Sequence, residues 1–226
     1  MLQWKDIDTV LLDMDGTLLD LHFDNYFWVE YLPKRYAEIK QVPHEESQRY
    51  IAGLCDKYHG QLEWYCLDFW GKELALDIPL IKREIAHLIQ MRSDVPAFLT
   101  ALKATNKRVV LVTNAHPDSL SLKIEKTQLS EYIDELISTH QFGVTKESLS
   151  LWQQLEQYVN FDKERTLFID DSIGILEVAR TFGIKHIVAI ENPDSKQAAR
   201  EITEFDSISS FEHYTHALTK TMPEKN

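Results

Sequence analysis

Three short apolar runs in this chain each end in side chains that can bind or react, and helical segments separate them. Thr9-Val10-Leu11-Leu12 leads into Asp13-Met14-Asp15, Lys107 to Val112 leads into Thr113-Asn114, and Arg165-Thr166-Leu167-Phe168-Ile169 leads into Asp170-Asp171. Unbroken aliphatic runs of this length suit strands buried on both faces, as in a parallel sheet. Ile184 to Ile190 and Asp134 to Ser138 supply two weaker strands. Helices are expected from Pro96 through Leu102, Pro117 through Gln128, Lys146 to Tyr158 and Ser172 to Phe182. Proline in a first turn costs little, because that amide has no intrahelical partner. Strands alternating with helices predict an α/β chain with a Rossmann-like parallel sheet covered on both faces. Ligands of such sheets sit at the carboxyl ends of the strands.

Residues 21–92 break that rhythm. They hold no convincing strand and are rich in aromatics, among them Phe27, Trp28, Tyr31, Trp64, Tyr65, Phe69 and Trp70. Phe27, Trp28, Tyr31 and Leu32 make one helical stripe; Leu62, Cys66 and Phe69 make another. Pro33 is expected to kink or restart the first helix, and Pro43 and Pro79 mark further starts. The interval reads as a small helical insertion over the end of the first strand, leaving residues 1–20 and 93–226 as the α/β core. Its aromatics serve either as the insertion's own packing or as the lining of a pocket between the two layers.

Charge narrows the partners. The 226 residues carry 24 Lys and Arg against 36 Asp and Glu, a net −12. A long nucleic acid needs a basic face, and so does an anionic membrane surface; neither is expected here. A small-molecule partner is the default. The two cysteines, Cys55 and Cys66, are too far apart for a Cys-x-x-Cys element. The histidines, His22 and His116 included, show no His-Glu-x-x-His spacing. No basic stretch followed by an apolar run opens the chain, and no segment reaches the ~20 apolar residues of a membrane span. A cytoplasmic location is expected. Beyond about Asn192 a final helix or loop is expected, then the charged stretch Pro223-Glu224-Lys225-Asn226, with no chemistry assigned to either.

Residues two apart on a strand share a face, so Asp13 and Asp15 are expected to converge at the sheet edge, with Gly16 allowing a sharp turn after them. By itself an acid pair before glycine is a common turn. A calcium loop is excluded, because Thr17 and Leu18 stand where it needs further oxygen ligands. The hydroxyl and amide of Thr113-Asn114 and the carboxylates of Asp170-Asp171-Ser172 lie at two more strand ends, each bordering a helix start, where anions and metals are readily held. Lys146 lies before its helix; Lys123 and Lys126 lie within one and are expected to be surface cations.

Four segments in this order, Asp13 to Thr17, Thr113, Lys146 and Asp170-Asp171, resemble the four motifs of the haloacid dehalogenase-like hydrolase superfamily, and the resemblance covers nearly the whole chain. The insertion falls where that superfamily carries a cap domain. Asp13-Met14-Asp15-Gly16-Thr17-Leu18-Leu19-Asp20, Phe23-Asp24-Asn25-Tyr26-Phe27-Trp28, Trp64-Tyr65-Cys66-Leu67-Asp68, Thr113-Asn114-Ala115-His116-Pro117 and Leu167-Phe168-Ile169-Asp170-Asp171-Ser172 are similar to the superfamily's bacterial nucleotidases that act on GMP and IMP. Many relatives have proline after the third-motif lysine; here Glu147 follows Lys146.

The resemblance implies a Mg²⁺-dependent phosphomonoester hydrolase acting on a small phosphorylated metabolite, a purine nucleoside monophosphate, through an aspartyl-phosphate. It implies Asp13 as nucleophile, Asp15 as general acid and base, and Thr113 and Lys146 as holders of the phosphoryl oxygens. Asp13, Asp171, Asp170 and the Asp15 carbonyl would ligate Mg²⁺, and Asn114, His116 and Asn25 would contact substrate, with Tyr26, Trp28 and Trp64 as stacking candidates. A dehalogenase is disfavoured by Asp15. A phosphomutase or a phosphatase of sugar phosphates, and a phosphate-sensing protein with a relict site, are the alternatives.

Overall fold

A computed structural model describes residues 2–220; the charged stretch at Pro223 to Asn226 lies outside the described residues. Six parallel strands form one sheet: β1 Thr9–Leu12, β2 Arg108–Thr113, β3 Glu135–Ser138, β4 Thr166–Asp170, β5 His186–Ile190 and β6 Asp206–Ile208, in the order β3-β2-β1-β4-β5-β6. The α/β expectation holds. The chain order reverses beside β1, so the ends of β1, β2 and β4 meet at the switch point where open sheets bind ligands.

Alternation along the strands sends side chains to two apolar layers. Val10, Leu12, Val109, Leu111, Leu167 and Ile169 join one layer; Leu11, Val110, Val112 and Phe168 join the other. The first layer also takes Phe98, Leu99 and Leu102 of the helix Val95–Lys103 and Leu218 of the last helix, Glu212–Lys220. The second takes Trp152, Leu155 and Val159 of Leu149–Val159, and Leu176 and Ala179 of Ile173–Phe182. Neither layer leaves a sheet face to water, which is why the strands read as continuous apolar runs.

Between β1 and β2 the described residues build helices only, up to the one that begins at Val95. In chain order they are α1 His22–Tyr26, α2 Leu32–Lys40, α3 His44–Tyr58, α4 Leu62–Tyr65, α5 Leu67–Leu74 and α6 Ile78–Glu84; the remaining helices are α7 Val95–Lys103, α8 Pro117–Thr127, α9 Leu149–Val159, α10 Ile173–Phe182 and α11 Glu212–Lys220. The insertion leaves and rejoins the sheet unit side by side: Asp20 N donates to Gln90 O (3.1 Å) and Arg92 N to Leu18 O (3.0 Å). Its apolar residues Phe23, Phe27, Leu67 and Trp70 belong to the same buried layer as Leu12 and Phe98, so it has no separate core.

Several local expectations are corrected. Pro33 is not among them: α1 runs into α2 through a wide turn, Phe27–Tyr31, in which Leu32 N bonds Phe27 O, and Pro33 falls in the first turn of α2, where the helix restarts as expected. A wider turn accommodates the register without the amide that proline lacks. The stripe Leu62, Cys66, Phe69 is interrupted, because Cys66 is extended (φ −85°, ψ 107°) between α4 and α5; Leu67, Trp70 and Leu74 are the buried set instead. The helix expected from Lys146 starts at Leu149, capped by Ser148, whose hydroxyl accepts from Ser150 N. The tail contributes a sixth strand, β6, before its helix. Asp206-Ser207-Ile208 is too short and too polar to announce a strand, and only pairing with β5 makes it one.

Candidate active site

β1 ends at Leu12, and its pairing with β4 is carried one step further by Asp13 N donating to Ile169 O (3.0 Å). The chain then turns: Leu18 and Leu19 donate back to Met14 O, and Gly16 N donates to Leu19 O. Asp13 and Asp15 are therefore brought together by a turn beyond the strand, not by strand alternation. Gly16 takes φ +85°, and a Cβ built there would lie 2.7 Å from Asp171 Cγ and 3.0 Å from Pro193 Cβ. Glycine is needed here both for the left-handed backbone and for the approach of the Asp171 carboxylate. Gly16→Ala is expected to cost about 1–2 kcal/mol in the backbone alone. Displacing Asp171 should also weaken divalent-cation affinity at least about tenfold. Thermal unfolding and a cation titration read the two effects; unchanged cation affinity would show that this approach does not matter.

Lys146 is held rigidly. Its backbone N donates to Asn114 Oδ1 (2.9 Å), and its carbonyl accepts from Trp152 Nε1 (2.9 Å). Its Nζ, buried at the strand ends, bridges Asp13 Oδ1 (2.5 Å) and Asp170 Oδ2 (2.7 Å). Glu147, in the position where many relatives have proline, ties the two layers together: Glu147 Oε2 accepts from Asn114 Nδ2 (2.9 Å) and Oε1 from the Tyr65 hydroxyl of α4 (2.7 Å).

Asp13, Asp170 and Asp171 bring carboxylate oxygens within 4.8 Å of one another. Burial pushes the Asp13 carboxyl up to about 6 against the pull of Lys146, and burial together with Asp170 and Asp13 drives Asp171 well above the carboxylate range. Asp13 Oδ2 is buried without a hydrogen-bond partner among the described residues. A cavity of about 310 Å³ opens on this cluster. Its charged lining is five carboxyls (Asp13, Asp15, Asp24, Asp170, Asp171) and three lysines (Lys82, Lys123, Lys146), which leaves two negative charges in excess once all five carboxyls are ionised. A hard oxygen donor set, an unpartnered oxygen and this charge imbalance fit a divalent cation such as Mg²⁺. Cation binding must displace the protons that the raised carboxyls hold at low pH. Apparent Mg²⁺ affinity is therefore expected to fall, by up to about tenfold per pH unit for each proton displaced, as the pH drops through about 6. Calorimetric titration at pH 7.5 and 5 checks this; equal affinity at both would contradict it.

Asp15 stands apart from the carboxylate trio. Its Oδ2 pairs with Lys123 Nζ (2.7 Å), and its Oδ1 is unpartnered among the described residues. Burial raises its carboxyl to about 6 despite Lys123. Lys123 corrects an expectation: it is 2% exposed, whereas Lys126 is a surface cation as expected. Ser119, Leu122, Lys123 and Thr127 form the buried face of α8, so the lysine sits on the inward stripe. Its Nζ also bonds Asp24 Oδ2 (2.6 Å), and Asp24 Oδ1 accepts from Lys82 Nζ (2.7 Å). The alternating chain Asp15–Lys123–Asp24–Lys82 runs from the strand end into the insertion. Burial raises the Asp24 carboxyl, but the two lysines outweigh it and hold Asp24 well below the usual range. Asp24 stands in the segment similar to the nucleotidases without a role assigned to it, and Lys82 carries no signal as a motif. Ile78, Ile81, Lys82 and Ile85, however, occupy one buried helical stripe in which a lysine is anomalous.

Thr113, at the end of β2, is buried with its Oγ1 accepting from Ala115 N (3.0 Å), which leaves its hydroxyl proton for another acceptor. Asn114 lines the cavity, and its amide is largely engaged within the protein: Oδ1 accepts from Lys146 N and Thr139 Oγ1, and Nδ2 donates to Glu147. The Oδ1 contact places Lys146. Asn25 lines the cavity, but its Nδ2 donates to Asp194 Oδ2 (2.7 Å). His116 lines the cavity and caps α8, its Nδ1 accepting from Asp118 N. Trp28 and Trp64 line it too, stacked on each other at 6.4 Å. Tyr26 packs instead against His22 and Tyr31. The tail, expected to be without chemistry, reaches the site: Arg200 donates to the Asp171 carbonyl (2.7 Å) and Pro193 lies against Gly16.

A family model described as a haloacid dehalogenase-like hydrolase matches residues 7–183. The chain belongs to that family. Among relatives of this hydrolase, "GMP/IMP nucleotidase YrfG" of Escherichia coli (strain K12) is 42% identical over 215 residues, covering 95% of this chain and 97% of that protein. "(S)-2-haloacid dehalogenase" of Pseudomonas sp. (strain YL) is 25% identical over 185 residues, covering 78% and 80%. The crystal structure of a HAD phosphatase from Thermococcus onnurineus shares the fold, with TM-score 0.77 at 18% identity over 94% of this chain and 98% of that one. Family membership agrees with the order of motifs in the sequence.

Proposed function

We propose that this hydrolase removes phosphate from purine nucleoside 5′-monophosphates, GMP and IMP, in a Mg²⁺-dependent reaction. The observation that carries the chemistry is the unpartnered Asp13 Oδ2, buried beside Lys146 and two further carboxylates at one end of a cavity. Identity of 42% with the nucleotidase over nearly all of both chains, insertion included, supports the substrate. Asp13, Asp170 and Asp171, with the Asp15 carbonyl, would hold the cation, which screens the repulsion between a carboxylate and a phosphate dianion.

Asp13 Oδ2 attacks phosphorus as the ester P–O bond breaks, giving an aspartyl-phosphate and a nucleoside oxygen that takes a proton from Asp15. An Asp15 carboxyl raised to about 6 retains a useful fraction of that proton near neutrality. The same group then takes a proton from water as the acyl phosphate is cleaved. Lys146 and the Thr113 hydroxyl hold the phosphoryl oxygens, the electrostatic work that dominates phosphoryl transfer.

Residues 21–92 act as the cap, with Trp28 and Trp64 as the surface for the base. Stacking on such rings is worth about 1–3 kcal/mol per base. No helix among the described residues is long and apolar enough to cross a membrane. Free thiols at Cys55 and Cys66 suit the reducing cytoplasm that this reading assigns.

The test is phosphate release from GMP, IMP, AMP, pyrimidine monophosphates and sugar phosphates, with Mg²⁺ and with EDTA. GMP and IMP should lead in kcat/KM, and EDTA should abolish turnover until Mg²⁺ is restored. Release favouring a sugar phosphate would overturn the substrate, and turnover in EDTA would overturn the cation.

A further inference from the structure

Cys66, His116 and His140 come from three segments that no sequence spacing relates. Cys66 is the extended residue between α4 and α5, His116 caps α8, and His140 lies in the turn Thr139–Phe142 after β3. Their ligand atoms all lie within 4.8 Å of one another. The two imidazoles meet edge to face, centroids 5.1 Å apart. His140 Nε2 is buried and makes no hydrogen bond among the described residues, although its surroundings exclude water. A buried imidazole nitrogen without a partner, set among a thiol and a second imidazole, is available to a metal ion.

His116 can present its own lone pair by moving one proton. Its Nδ1 accepts from Asp118 N (3.3 Å) and lies 3.8 Å from Asp118 Oδ2, while Nε2 lies 3.7 Å from Asp68 Oδ2. With the proton moved to Nδ1, Asp118 N loses this acceptor, the ring pairs instead with the Asp118 carboxylate, and Nε2 is freed.

We propose that Cys66, His116 and His140 form a second metal site, for a thiophilic cation of the Zn²⁺ class, and that filling it staples the helical insertion to the sheet unit. One thiolate and two imidazoles select such a cation over Mg²⁺, which the carboxylate cluster suits. Ligands around tetrahedral zinc stand about 3.3–3.8 Å apart, so binding needs a closure of about 1 Å. The Cys66 S–H bond gives its proton to solvent as the sulfur–metal bond forms, and no electron changes hands. Cys66 rides on the insertion and both histidines on loops after β2 and β3, at the side of the cavity that Tyr65 and His116 line. A metal there locks the insertion over the cavity and hinders exchange of whatever binds inside.

Co²⁺ is the probe. The reduced full chain, with Mg²⁺ in excess to fill the carboxylate site, is titrated and its near-ultraviolet absorption followed for a thiolate-to-cobalt charge-transfer band. The band should saturate at one Co²⁺ per chain, vanish in Cys66→Ser, survive in Cys55→Ser, and need at least about tenfold more Co²⁺ in His140→Ala. Absence of the band in the parent protein, or its persistence in Cys66→Ser, overturns the site. The staple has its own readout: Zn²⁺ should inhibit phosphate release at least about tenfold more weakly in Cys66→Ser than in the parent. Equal inhibition overturns the staple. The absorption readout is independent of substrate, so failure of the nucleotidase reading would leave it intact.

Discussion

Asp13→Asn is expected to abolish turnover, by at least about 10³-fold in kcat, because an amide oxygen is a far weaker nucleophile than a carboxylate. The same change should leave the fold standing. The Asp13 carboxyl is raised to about 6 in the folded chain, above its value of about 3.9 in an unfolded one. A group shifted upward in this way favours folding at low pH and loses that contribution as the pH rises through about 6. At pH 7.5 in EDTA the ionised Asp13 is therefore a cost, and the neutral isostere removes it while Lys146 keeps Asp170. Thermal unfolding in EDTA should show a Tm no lower than the parent's, alongside a phosphate-release assay at baseline. A variant that turned over normally would remove Asp13 from the reaction. One that lost activity together with several degrees of Tm would leave the residue with a structural role only.

Asp24→Ala is expected to destabilise the chain by about 3–5 kcal/mol, the usual result of stripping one partner from a buried ion pair. Asp24 is the shared anion of Lys82 and Lys123, each 2% exposed, so its removal leaves two ammonium groups facing each other without it. Lys82 already sits against Phe23, Phe27 and Trp28, with Nζ 4.5–5.7 Å from the ring centroids, and aromatic faces do not replace a carboxylate. Adding Lys82→Met to Asp24→Ala should recover part of the loss, since one unpaired charge is then replaced by an apolar chain of similar length. Chemical denaturation of the single and double variants reads this directly. A parent-like stability for Asp24→Ala would show that water reaches both lysines. The change should also slow turnover, because Lys123 would then turn wholly to Asp15 and pull its carboxyl down from about 6, away from the range a general acid needs.

These two residues show the two ways a site is written in a chain. Asp13 was legible because it ends an apolar run and stands in a dense local motif; so were Thr113, Asp170 and Asp171, each at the end of its own buried strand. Strand order then follows from parallel connectivity, and the switch point beside β1 collects the ends. Lys146 was singled out only by resemblance to the third motif, and its contact with both Asp13 and Asp170 depends on Asn114 and Trp152 gripping its backbone from distant segments. Asp24 lay in a segment similar to the nucleotidases but had no role assigned to it, and Lys82 and Lys123 carried no motif at all. Both lysines stood on helical faces whose other members are buried, a pattern that identifies an inward lysine only when burial is already known. Arg200 and β6 were hidden for a related reason, since each is defined by a partner across the sheet edge rather than by its neighbours in the chain.

The sequence by itself determined the α/β architecture and set polar groups at the ends of its strands, because buried strands and helix starts are set by local periodicity and local backbone chemistry. Tertiary structure alone decided which charges neutralise one another. It paired Lys146 with two carboxylates and Lys123 with two others, made Asn114 the clamp of a lysine, and gathered Cys66, His116 and His140 at the joint of the insertion. Electrostatic partnership in a buried site depends on distances of a few ångströms between segments far apart in the chain. Local sequence carries no measure of those distances.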